Sequence, residues 1–160
     1  MKVVILAGGF GTRLSEYTDS IPKPMVPIGG LPMIHHIINI YASYGHKEFY
    51  IALGYKGDVI KKYFKNKIDG LTINLIDTGS ETLTGGRVKR LEKYLKNEKF
   101  LLTYGDGLSN INIRELISFH ERHKKIVTMS AVRPPARFGA LMLKDDKIIK
   151  FKEKVQLNDN

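Results

Sequence analysis

The sequence predicts an α/β fold built on a mostly parallel sheet. Short apolar runs alternate along the chain with longer segments whose apolar residues recur at helical spacing, the pattern of strand–helix–strand units. The first run, Val3–Ala7, reads as a plain buried strand and turns at once into glycine. The last three runs have little helix between them, which makes the end of the sheet antiparallel.

Taken in order, the strands are Val3–Leu6, Glu48–Ala52, Leu71–Ile76, Lys99–Thr103, Ile126–Val132, Ala140–Leu143 and Lys147–Phe151. Met33–Tyr44 carries apolar residues at helical spacing, with Pro32 near its start and Gly45 just past its end. Asp58–Lys65 and Arg87–Tyr94 read as short helices. Asn112-x-x-Glu115 resembles a capping box and opens a helix ending near His123, with Ile113, Leu116 and Ile117 on one face. No repeat, linker or low-complexity segment interrupts the pattern, so residues 1–160 are expected to form a single domain closed by a polar tail, "VQLNDN".

A chain of 160 residues is long enough for one sizeable core. The absence of cysteine excludes disulfides and thiolate metal sites. The net charge of +10 suggests an anionic partner, the bland alternative being that lysine is simply the solubilising residue here. Lysines are scattered, with a modest cluster at Lys61, Lys62, Lys65 and Lys67, and aromatics are not interleaved with them to stack bases. Small phosphorylated ligands therefore fit better than nucleic acid. No stretch approaches the roughly 20 apolar residues of a membrane span, and the N-terminal apolar run enters a glycine loop in place of a cleavage site. The expectation is a cytoplasmic protein with no membrane partner.

The stretch after the first strand is Gly8-Gly9-Phe10-Gly11-Thr12-Arg13-Leu14. It is not a Walker A loop, because no Gly-Lys-Ser/Thr follows. It also fails the dinucleotide fingerprint, whose third glycine is here Leu14. What remains is a general device: glycines let backbone N–H groups approach phosphate oxygens, and Arg13 adds a planar fork of donors. In Pro22-Lys23-Pro24, two prolines fix the backbone around one lysine, lowering the entropy lost when it grips an anion. A bare glycine turn can be purely structural, and Pro22-Lys23-Pro24 alone reads better as a rigid loop with a solvated lysine; together they point to phosphate.

This glycine–arginine loop followed by Pro22-Lys23-Pro24 resembles the signature of the sugar-phosphate nucleotidyltransferases. The resemblance runs from Met1 to about Lys154. Asp77-Thr78-Gly79, Thr82, Thr84-Gly85-Gly86-Arg87, Tyr104-Gly105-Asp106-Gly107 and Pro134-Pro135-x-Arg137-Phe138-Gly139 are similar, more narrowly, to the glucose-1-phosphate cytidylyltransferases. The resemblance implies a Rossmann-like three-layer sandwich, with CTP and glucose 1-phosphate as partners, Mg²⁺ as cofactor and association into a homo-oligomer. It also implies a place early in making deoxysugars for surface polysaccharide. A sugar phosphate already carries a nucleophilic oxygen near neutral pH, so the reaction needs positioning, cations and a metal more than a catalytic base.

By that resemblance Leu6, Ala7, Gly8, Gly9, Gly11, Thr12 and Gly105 surround the nucleotide, with Arg13 stabilising the reacting phosphates. Lys23 meets the phosphates from the other side, and Asp106 holds Mg²⁺. Thr82 and Arg87 match nucleotide-binding positions. Gly139, Glu153 and Lys154 match sugar-side positions. Away from the resemblance, Asp106 reads equally as a turn residue and Glu153-Lys154 as a solvated strand end. His46, His120 and His123 read as surface residues.

The chain departs from the family pattern at three places. Only "KNKIDG" separates Phe64 from Leu71, where relatives are longer. The family's Glu-Lys-Pro is Glu153-Lys154-Val155. The region that supplies a second metal-binding aspartate has no counterpart, so the expectation is a domain shortened at its C-terminus, whose turnover is slow or undetectable.

Overall fold

In the computed structural model, residues 1–11, 20–65, 68–96, 98–132 and 140–152 are described. Their contacts gather into two units, Met1–Ile117 and Ser118–Asn160.

The first unit is organised by β1 (Lys2–Ala7). It lies between β4 (Glu48–Leu53) and β6 (Phe100–Tyr104), with β5 (Thr72–Asp77) beyond β4, giving the order β5-β4-β1-β6. All three ladders are parallel: Ile5 stands opposite Ile51 on one side and Thr103 on the other. Between β1 and β4 come a 3₁₀ turn, Lys23–Met25, a two-residue antiparallel pair, β2 (Pro27–Ile28) with β3 (Leu31–Pro32), and helix α1 (Met33–Ser43). Helix α2 (Gly57–Tyr63) connects β4 to β5. Helices α3 (Thr84–Arg90) and α4 (Glu92–Leu95) connect β5 to β6.

Because side chains alternate along a strand, β1 feeds two cores. Val3, Ile5 and Ala7 join Phe49, Ile51 and Leu53 beneath Ile34, Ile37 and Ile38 of α1 and Ile60 of α2. Val4 and Leu6 join Tyr50 and Ala52 beneath Leu91 and Leu95 on the other face. A sheet apolar on both faces, covered by helices on both, is a three-layer α/β sandwich. Each fully buried aliphatic side chain here contributes about 1.5–3 kcal/mol by leaving water.

Helix α5 (Ile113–His123) starts as the capping motif requires: the Glu115 backbone N–H donates to Asn112 Oδ1 at 3.2 Å. The second unit contains an antiparallel hairpin of β7 (Ala140–Lys144) and β8 (Lys147–Lys152), with a bulge between Met142 and Leu143.

Three sequence expectations are corrected. Residues 126–132 form no strand; Ile126 is 96% and Met129 86% exposed. Strand propensity is realised only against a neighbouring strand, and here Thr128 is instead held through its hydroxyl by His120 and His123 of α5, at 2.8 and 2.7 Å. The helix expected over 87–94 begins earlier, at Thr84, and breaks at Leu91. His46 is buried, with Nδ1 donating to the Met1 carbonyl at 3.2 Å, so it belongs to the packing of the β1 entrance and not to the surface.

Candidate functional site

The carboxyl ends of β1 and β6 open onto a cleft of about 300 Å³. In open parallel sheets this edge is where strand ends diverge and backbone groups are left to ligands. The floor is Leu6 and Ala7, the glycine loop supplies Gly9 and Gly11, and Tyr104 forms a wall. Lys23 and Asp106 face each other across it.

Each of these two side chains is aimed by backbone. The Lys23–Met25 turn closes on itself, the Met25 N–H donating to the Pro22 carbonyl at 2.8 Å. Pro22, Pro24 and Met25 are buried, which leaves Lys23 as the projecting residue. Asp106 follows Gly105, whose N–H donates to the Leu6 carbonyl at 2.8 Å and so extends the β1–β6 alignment past the strand. Gly105 is glycine for a steric reason: a Cβ there would lie 2.9 Å from Pro24 Cγ. The two loops interlock, and Lys23 Nζ comes to 2.5 Å from Asp106 Oδ2. Both side chains are about one-third exposed, so the pair contributes on the order of 1 kcal/mol or less to stability. Its interest lies in where it puts two opposite charges.

Behind the glycine loop sits Arg87, 5% exposed. Its Nη1 donates to the Gly79 carbonyl at 2.7 Å, to Thr78 Oγ1 at 2.8 Å and to the Leu53 carbonyl at 3.1 Å. Its Nη2 donates to the Gly8 carbonyl at 2.7 Å and the Ser80 carbonyl at 3.0 Å. Gly8 O also accepts from the Tyr55 N–H at 3.2 Å. Burial lowers the Arg87 pKa, as does the nearby Arg90, while Asp77 partly offsets both; a guanidinium stays charged regardless. The neighbouring glycines make room for it. A Cβ on Gly8 would fall on the guanidinium, and one on Gly54 would lie 2.5 Å from Nη1.

The structure thus brings together Leu6, Ala7, Gly9, Gly11, Lys23 and Asp106 in one cleft, and places Gly8 and Gly105 buried just behind it. Thr82 stands in the β5–α3 loop, its Oγ1 3.0 Å from where a Gly79 Cβ would be. Arg87 differs from the exposed arginine that a helix start implies: its Nη donors end on protein oxygens. Thr12, Arg13, Gly139, Glu153 and Lys154 lie outside the described residues. Tyr104 and Pro24 line the cleft without having been singled out as ligand contacts, although both stand inside the quoted motifs.

Among the described residues, Asp106 is the one carboxylate lining the cleft, and no three His, Asp or Glu side chains gather to form a metal centre. That donor set suits Mg²⁺ in one way. The ion keeps several waters and commonly takes one or two carboxylates together with substrate phosphates. Asp106 fits that role.

A family model described as "Nucleotidyl transferase" matches residues 2–159. Glucose-1-phosphate cytidylyltransferase of Salmonella typhimurium is 45% identical over 177 aligned residues, covering 96% of this chain and 69% of that protein. The enzyme of the same name in Salmonella typhi is likewise 45% identical over 96% of this chain. An alignment longer than this chain means that the relatives carry extra residues within the matched region. Among solved structures, that of HddC from Yersinia pseudotuberculosis aligns with a TM-score of 0.69 at 29% identity, over 96% of this chain and 69% of that one.

Proposed function

Because the chain belongs to the nucleotidyl transferase family, we propose that it transfers a nucleotidyl group from a nucleoside triphosphate to a sugar 1-phosphate, with CTP and glucose 1-phosphate as the pair. The observation that carries this reading is the cleft in which Lys23 and Asp106 meet above a bare glycine loop. The names of the 45% identical relatives support the choice of CTP and glucose 1-phosphate.

The chemistry follows from the charges. An oxygen of the sugar phosphate attacks the α-phosphorus, a new P–O bond forms, and the bond to the β-phosphate breaks to release pyrophosphate. Two polyanions must approach, so the barrier falls mainly through positioning and cations. Gly9 and Gly11 put no side chain between the backbone and the triphosphate, and Gly11 has φ +68°, a conformation that side chains rarely adopt. Lys23 supplies a cation on a stiffened turn. Asp106 would hold Mg²⁺, which neutralises phosphate charge when bound. Arg13, two residues after Gly11 in the same motif, would brace the reacting phosphates, and Thr82 would meet the nucleoside. Gly139, Glu153 and Lys154 would serve the sugar phosphate. The protein is read as cytoplasmic, where both substrates occur; no helix among the described residues is long and apolar enough to cross a membrane.

A pyrophosphate-release assay crossing the common nucleoside triphosphates with several sugar 1-phosphates tests the reading. Fastest release with CTP and glucose 1-phosphate supports it, and fastest release with dTTP or UTP keeps the chemistry and overturns the base. A second reading, a nucleotide-binding module without turnover, is favoured by Asp106 being the one carboxylate among the described residues that line the cleft. CTP binding with no pyrophosphate from any pair supports that reading.

A further inference from the structure

A buried guanidinium is costly to desolvate, and a cation with no carboxylate hydrogen-bonded to it recovers that cost chiefly through the dipoles it meets. The hydrogen bonds of the Arg87 Nη atoms end on neutral oxygens drawn from three strand exits: Gly8 after β1, Leu53 at the end of β4, and Thr78, Gly79 and Ser80 after β5. The planar fork fills the space that a side chain on Gly8 or Gly54 would take. Gly8 has no positive φ, so its missing Cβ serves the arginine and not a turn. Arg90 reinforces the same junction, donating to the Thr78 carbonyl at 2.5 Å.

We infer that Arg87 is a positioning residue of the triphosphate site: its guanidinium, wedged between Gly8 and Gly54, fixes the glycine loop against the β5 exit without touching the ligand. The inference rests on the reading of that loop as a triphosphate cradle. It also gives the loop's first glycine a reason. Gly8 must be bare to admit Arg87, whereas Gly9 and Gly11 face the cleft. A lysine cannot replace the arginine, because one ammonium does not span carbonyls of Gly8, Gly79 and Ser80 in a fixed plane.

The test compares the wild-type chain with Arg87→Met, Arg87→Lys, Gly8→Ala and the Gly8→Ala/Arg87→Met double variant. Each is titrated calorimetrically with CTP and with inorganic triphosphate, Mg²⁺ present, beside thermal unfolding and the ¹⁵N–¹H shifts of Gly8 and Gly9. Arg87→Met is expected to lose about tenfold or more in affinity for both probes, the scale on which groups that orient a ligand-holding residue act. Arg87→Lys restores little. Gly8→Ala loses a similar amount, and the double variant is no worse than either single one, because both disrupt one contact.

A loss for CTP with inorganic triphosphate binding intact overturns the inference and makes Arg87 a contact to base or ribose. Losses that multiply in the double variant overturn it as well. Wild-type protein that binds neither probe overturns the nucleotide reading itself. The ligand-free loop shifts then decide the rest: moved in Arg87→Lys they uphold the wedge, and unmoved they overturn it. Should Arg87→Met not fold, Arg87→Lys carries both readouts.

Discussion

The ammonium of Lys23 and the carboxylate of Asp106 meet at 2.5 Å because Pro24 packs where Gly105 has no side chain. In the absence of ligand each charge neutralises the other. A triphosphate with its cation offers both a better partner: phosphate oxygens for Lys23, and Mg²⁺ for Asp106. Asp106→Asn is therefore expected to weaken triphosphate binding in Mg²⁺ and to leave metal-free binding intact, since Lys23 is then released from its pair. Titration with and without Mg²⁺ reads this; equal losses in both conditions would return Asp106 to the role of a turn residue.

Gly105→Ala tests the interlock. Its Cβ would press on Pro24 from 2.9 and 3.1 Å, and on the Leu6 carbonyl from 3.2 Å. Overpacking of this kind costs about 1–3 kcal/mol. The expected result is a lowered melting temperature together with weaker triphosphate binding, because the displaced turn carries Lys23. A variant that melts early yet binds normally would separate the interlock from the site.

Arg13→Ala is expected to reduce turnover by about 10²–10³, the usual loss of one donor aimed at transition-state charge, with little change in unfolding. Rate and melting temperature are measured on the same sample. Near-normal turnover would remove Arg13 from the reacting phosphates.

His46 yields a pH prediction. Burial lowers its pKa from the usual 6.5, and the N-terminal ammonium lowers it further, while its bond to the Met1 carbonyl opposes both. The unfolded chain therefore binds a proton that the folded one refuses, so this contribution is complete above about pH 6.5 and fades as pH falls toward the folded value. His46→Gln is expected to flatten the acid side of the stability curve between pH 7 and 5, as read by denaturant melts. An unchanged slope would assign the acid sensitivity elsewhere, His35 being the next candidate through its own burial and its neighbour His36.

The sheet was legible because β1 and β4 carry the continuous apolar runs that strands buried on both faces require, and the half-exposed β5 and β6 carry shorter ones beside them. The cleft was legible in part. Gly9, Gly11, Lys23 and Asp106 stood out as glycine loop, stiffened lysine and aspartate after a strand. The fixed distance between Lys23 and Asp106 did not, because it depends on Pro24 meeting Gly105. Arg87 was visible as a residue and invisible as a wedge: its partners are chiefly backbone carbonyls, Gly8 O being 79 residues away, and a carbonyl leaves no mark on composition or spacing. Residues 126–132 misled because strand propensity is local and pairing is not.

The central place of β1 has a consequence for the order of assembly. Its two ladders join residues 2–7 to residues 48–53 on one side and 100–104 on the other. The first is available early as the chain emerges from synthesis, but the second must wait for the strand that leads into Asp106. Parallel pairing across such separations is slow to close. Until it does, the glycine loop has its Arg87 wedge but neither the Tyr104 wall nor the acidic partner of Lys23. Nucleotide therefore has little to hold in a half-built chain, and its grip dates the last step of folding: added during refolding, CTP is expected to slow unfolding of the finished protein while leaving the early folding phases unhurried.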